Sequence, residues 1–151
     1  MSSAAVRDAF PGDGDGLARI FRLASLSNDG DRAVLLAHPD ALVWTGPPGP
    51  PARCRVAVDG PDGPPVGFAT TVRTGADLEL EDLFVHPDAM RRGIATALVD
   101  DVMGFARSTG VARVAVDANP HARAFYESVG FEGDGPAVTE FGPGVRMHRD
   151  V

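Results

Sequence analysis

Residues Val85 to Val102 read "VHPDAMRRGIATALVDDV". The stretch leaves an apolar strand pattern, passes two arginines and a glycine, and enters an amphipathic helix. The first N–H groups of a helix have no intrahelical acceptor and lie at the positive end of its dipole, so a helix start is already an anion site. Arg91 and Arg92 placed just before it point to a phosphate-bearing ligand. The elements on either side define what surrounds that start.

Upstream lie three extended runs, "ARCRVAVD" (52–59), "VGFATTVRT" (66–74) and "DLELEDLFV" (77–85). "GPDGPP" separates the first two and Gly75-Ala76 the last two, which predicts an antiparallel meander. Downstream, Ile94, Leu98, Val102 and Phe105 mark a helix closing near Gly110, and "VARVAVDA" (111–118) is a β-branched strand. Strand, crossover helix and strand form a βαβ unit, so the sheet should contain a parallel pair. Asn119 and Pro120 read as the cap and first residue of a last helix, with Ala122, Phe125, Tyr126 and Val129 as its buried stripe and Gly130 beyond its end. The final "FEGDGPAVTEFGPGVRMHRDV" offers two short strands around a Gly/Pro loop.

Toward the N-terminus, Val6–Ala9 is a strand candidate. Leu17, Ile20, Phe21 and Ala24 share one face of a helix capped by Asp13 or Asp15. A second helical run extends from Asp31 to about His38 and stops before Pro39, and "TGPPGPP" (45–51) should be irregular.

At 151 residues the chain is read as one domain, 1–151, large enough for a core without disulfides. No window approaches a membrane span and the N-terminus lacks a secretory pattern, so the expected setting is the cytoplasm, with no membrane partner. A net charge of −7 disfavours a nucleic-acid partner and suits a cationic or neutral co-substrate. The single cysteine, Cys54, is read as a structural thiol, and His38, His86, His121 and His148 show no metal-ligand spacing.

"MRRGIA" (90–95), "TALVDDVMGFAR" (96–107) and, one strand later, "NPHARAFYESVGF" (119–131) together resemble the GCN5-related N-acetyltransferase (GNAT) superfamily, which moves an acetyl group from acetyl-CoA to an amine. The resemblance implies a mixed α/β fold: a mostly antiparallel central sheet, one parallel pair splayed around the acyl-CoA cleft, and helices on both faces. It implies that Met90, Arg91, Arg92, Gly93, Ile94, Ala95 and Thr96 form the pyrophosphate loop, whose family pattern is Q/R-x-x-G-x-G/A. Met90 departs from that pattern. A thioether is a poor phosphate donor, so Arg91 or Arg92 and the backbone amides must hold the anion.

The resemblance also implies that the backbone of Leu83, Phe84 and Val85 receives the pantetheine arm as an added strand, and that Asn119 and Arg123 lie beside the cofactor. Tyr126 matches the family tyrosine that protonates the departing thiolate. An amine attacks only as the free base, so a carboxylate must take its proton. Counting back from Gly93 to the family's base position reaches Glu79. Strict alternation puts Glu79, Glu81, Leu83 and Val85 on one side of the strand, opposite Leu80, Asp82 and Phe84; a bulge would bring in Asp82 instead. The expected reaction is direct acetyl transfer in a ternary complex to a primary amine of a small molecule or peptide, with no metal. Homodimers are common among such proteins, and no feature here demands one.

Two other readings compete with this one. A dinucleotide-binding βαβ would use Asp117 as its ribose acid, but it needs three glycines directly after the strand, where only Gly93 stands behind a long connection. A non-catalytic acyl-CoA sensor on the same fold is kept open by Met90 and opposed by Tyr126 and the glutamates.

Overall fold

A computed structural model of the protein describes residues 5–27, 29–44, 51–139 and 142–151. Strands β1 (Ala5–Asp8), β2 (Arg53–Val58), β3 (Pro65–Thr74), β4 (Asp77–Val85), β5 (Arg113–Ala118), β6 (Glu132–Thr139) and β7 (Gly142–Asp150) form one sheet in the order β1-β2-β3-β4-β5-β7-β6. Among the described residues only β4 and β5 pair in parallel. The helices are α1 (Gly14–Leu26), α2 (Asp29–Ala37), α3 (Ile94–Thr109) and α4 (Arg123–Ser128).

Period-two strands give the sheet two apolar faces. On one, Ala57, Ala69, Leu78, Leu80 and Val114 pack with Leu98, Val102 and Met103 of α3 and Tyr126 of α4. On the other, Leu17 and Ile20 of α1 pack on Cys54, Val56, Val58 and Phe68. The predicted helix through Leu17 and Ile20 is therefore present. Asp13 precedes it, but its carboxylate accepts the Phe10 N–H at 2.7 Å and two guanidinium hydrogen bonds from Arg7, and makes no side-chain cap.

The parallel pair positions the site. It is in register only at Asp77↔Arg113, Leu78↔Val114 and Glu79↔Ala115, although β4 continues to Val85 and β5 to Ala118. Beyond Glu79 the two strands part, and that edge of β4 has no strand partner among the described residues. The other edge of β4 stays paired to β3, with a bulge: Thr70 faces Asp82 and Thr71 faces Leu80, so Glu81 is the extra residue.

The bulge corrects the alternation expected from the sequence. Leu78, Leu80, Leu83 and Val85 all belong to the α3 side, while Phe84 stacks on Phe21 and Phe68 on the α1 side. One inserted residue reverses the face of everything after it. Asp82 and Phe84 thereby lie opposite Leu80, on the face of Glu79.

The C-terminal segment also differs from its reading. β6 and β7 are longer than expected, and "GDGP" lies within β6, where a register shift between Gly133 and Gly135 accommodates it. The "TGPPGPP" loop lies outside the described residues apart from Pro51. Residues 140–141, between β6 and β7, also lie outside them.

Gly144 lies in β7 beside the end of β5, next to the Val145↔Ala118 pair. A Cβ there would stand 2.5 Å from the Ala118 carbonyl oxygen and 2.5 Å from Thr139 Cγ2. Because one obstacle is backbone, Gly144→Ala should destabilise the protein by about 1–3 kcal/mol, lowering the melting temperature by about 2–12 °C. Thermal unfolding followed by circular dichroism checks this, and an unshifted midpoint would show that β7 yields freely.

Candidate active site

The parting of β4 from β5 opens two cavities that meet across β4. The first, about 370 Å³, lies on the α3 side between Leu83 and Val85, the loop into α3, and Ala122, Phe125 and Tyr126. The second, about 780 Å³, is bounded by α1 and α2, by Glu81 to Val85, by Asp117 to Ala122, and by Val138, Thr139 and Pro143 of the last hairpin. Leu83, Val85, Met90 and Ala122 line both.

At the mouth of the first cavity the chain turns sharply. Met90 is extended, Arg91 has φ 64° and Gly93 has φ 76° immediately before α3. The left-handed region costs a non-glycine residue about 1–2 kcal/mol, so the strain at Arg91 is concentrated at the site rather than spread through the fold. The amides of Ile94, Ala95 and Thr96, the first turn of α3, have no intrahelical acceptors. Arg91 has no ion-pair partner among the described residues and lines the cavity. Arg92 donates to Asp59 at 2.8 Å and faces a separate hollow of about 380 Å³ beside the β2–β3 hairpin.

Of the residues singled out in the sequence, Leu83, Val85, Met90, Arg91, Gly93, Ile94, Ala95, Thr96 and Tyr126 come together around the first cavity. Glu81, Phe84 and Asn119 line the second. Asn119 accepts the Ala122 N–H at 3.0 Å and so caps a turn at 120–122; α4 begins only at Arg123, later than the sequence suggested. Arg123 pairs with Glu127 at 3.6 Å and lines neither cavity. Glu79 also lines neither. Both its oxygens accept from Arg146, at 2.5 and 2.8 Å, and Arg146 donates to Asp117 at 3.0 Å. These carboxylates push the Arg146 pKa up, so its charge is permanent.

Tyr126 is 6% exposed, edge-on to Phe125 and Phe131. Burial pushes its phenol pKa up, which keeps the proton on oxygen. Asp82 is the residue the sequence reading named only in the event of a bulge. Thr70 and the Trp44 indole hydrogen-bond to it, yet burial dominates and raises its carboxyl pKa above the ordinary value. Asp117 was considered only as a ribose acid. It lies on the opposite wall, and no local signal marks it, because its role depends on where β5 leaves β4.

Burial also pushes the Cys54 thiol up to about 12, in agreement with a structural role. Among the described residues no cluster could hold a metal ion, and no helix is long and apolar enough to cross a membrane.

Residues 54–148 match the sequence profile of the Acetyltransferase (GNAT) domain. The chain belongs to the GNAT acetyltransferase family. The mycothiol acetyltransferase of Clavibacter michiganensis subsp. michiganensis is 35% identical over 77 residues, which cover 51% of this chain and 25% of that protein. The curated relatives that it matches are covered over only about a quarter of their length. Among solved structures, a GCN5-related N-acetyltransferase from Rhodopseudomonas palustris superposes with a TM-score of 0.77 at 24% identity, covering 100% of this chain and 98% of that one. The PaiA N-acetyltransferase from Thermoplasma acidophilum, solved with coenzyme A, gives 0.74 at 13% identity over 99% of each chain. Both share the overall fold described above.

Proposed function

We propose that this GNAT chain transfers an acetyl group from acetyl-CoA to a primary amine of a small molecule or peptide, directly, in a ternary complex. The observation that carries the reading is the pair of cavities meeting across β4: one backed by a helix start and a free arginine, the other by carboxylates. That the Thermoplasma relative was solved in complex with coenzyme A supports a coenzyme A ligand for this fold.

The residues fit the co-substrate. Arg91 and the amides that open α3 suit a pyrophosphate, and Gly93 lets the backbone approach it. The unpaired edge of β4 at Leu83 to Val85 offers main-chain groups to an extended pantetheine arm. Met90 contributes apolar surface to both cavities. When bound, acetyl-CoA supplies a thioester carbonyl activated for attack by nitrogen.

On the acceptor side, Asp82, with Glu81 beside it, takes the proton of the incoming ammonium. As nitrogen forms its bond to the acyl carbon, the carbon–sulfur bond breaks. Tyr126 gives its proton to the leaving sulfur and regains one from the nitrogen. Glu79, held by Arg146, braces the apex of the splay rather than acting as the base.

Incubating the protein with acetyl-CoA and a chemically varied amine panel, and following thiol release, tests this. The chain has no lysine, so acetylation of the enzyme itself is confined to its N-terminal amine. Amine-dependent thiol release is expected. Coenzyme A binding by calorimetry with no thiol release for any amine would identify the acyl-CoA sensor instead.

A further inference from the structure

The larger cavity is uneven in charge. Glu81 stands on its β4 wall and Asp117 on its β5 wall, each two residues past the last paired rung, Glu79↔Ala115. Asp82, hydrogen-bonded by Thr70 and Trp44, also lines the cavity. No arginine lines the cavity among the described residues; His121 is the one other titratable group there. Arg146 touches Asp117, but its two hydrogen bonds to Glu79 tie it to a second carboxylate, so the trio carries one net negative charge.

Both walls of the splay therefore present negative charge, separated by more than the roughly 4.8 Å between paired strands. The reacting nitrogen must be neutral when it attacks, and one carboxylate at Asp82 or Glu81 suffices to take its proton. Asp117 has no part in that step. Asp117 is half exposed and shares Arg146 with Glu79, so a cation elsewhere on the acceptor would meet the net negative charge of that trio at the solvent side of the cleft, and an acceptor carboxylate would meet the same field with the opposite sign. Phe21, Leu35 and Pro143 supply apolar surface for the carbon skeleton joining the two ends.

We propose that the acceptor is a primary amine carrying a second positive charge, with Asp117 binding that distal cation, and that acceptors bearing a carboxylate are rejected. The inference rests on the transferase reading above and narrows its substrate class.

Three acceptors of equal length isolate the distal charge: 1,4-diaminobutane, butylamine and 4-aminobutanoate. The expected kcat/KM order is diamine, monoamine, amino acid, with about a tenfold drop at each step, and the best acceptor of a wider panel should be a di- or polycation. Raising the salt concentration should compress the order. Asp117→Asn keeps an oxygen for Arg146 and should bring the diamine-to-monoamine ratio close to one, mainly through KM for the diamine.

Equal use of the three compounds, a reversed order, or a best acceptor that is a monoamine or amino acid overturns the inference while acetyl transfer stands. Absence of thiol release with every amine defeats the transferase reading itself. Should Asp117→Asn fail to fold, the order measured on the unaltered protein still decides.

Discussion

Asp82→Asn is expected to lower kcat by about a hundredfold or more while leaving the melting temperature unchanged or raising it. Both halves follow from one environment. Burial outweighs the hydrogen bonds from Thr70 and Trp44 and lifts the Asp82 pKa above its ordinary value. A carboxyl whose pKa is higher folded than unfolded holds its proton more tightly in the fold. Its effect on stability is absent below the unfolded pKa, develops as pH rises to the folded pKa, and is a full penalty above it. At neutral pH the native carboxylate is thus a cost to the fold, and an amide of the same shape removes it. The acid limb of kcat/KM against pH should report the raised pKa in the parent and disappear with Asp82→Asn.

Glu79→Gln is the contrast. It breaks charge-assisted hydrogen bonds from Arg146 and should lower the melting temperature while leaving the shape of the pH profile intact. If instead Glu81→Gln abolishes the acid limb and Asp82→Asn keeps both the limb and the parent kcat, the exposed glutamate at the bulge is the proton acceptor.

Tyr126→Phe should reduce kcat by about 10²–10³ with coenzyme A affinity retained, because the ring and its contacts with Phe125 and Phe131 remain. A phenol whose pKa is raised by burial is fully protonated wherever the amine is reactive, so it is always ready to protonate sulfur. The same shift carries a stability signature. The fold should lose stability as pH rises through about 10, the ordinary phenol value, and Tyr126→Phe should remove that contribution. Single-turnover kinetics separates the chemical step from product release. Parent-like kcat in that measurement would show that sulfur leaves as thiolate or is protonated by water.

The extent of sequence legibility differs between the two cavities. The first is built largely from contiguous chain: the turn at Arg91 to Gly93 and the first turn of α3 adjoin in sequence, so glycine, arginine and helix periodicity already place them together. Even there Arg92 was indistinguishable from Arg91, since only the Asp59 side chain from a distant hairpin draws it away. Arg123, too, sits among the matching residues yet pairs along its own helix.

What could be read from residue order alone was every strand and helix that decides the fold, the parallel pair, and the helix start behind Arg91 to Gly93, because each depends on short-range periodicity and backbone chemistry. Three-dimensional packing decided which carboxylates line the larger cavity. An unpaired residue at Glu81 turns Asp82 into the cleft, Arg146 reaches across β5 to engage Glu79, and the divergence of two strands sets Asp117 opposite. A bulge and a splay arise from how neighbouring strands hydrogen-bond, and alternating side chains in one strand carry no record of where its partner slips or departs.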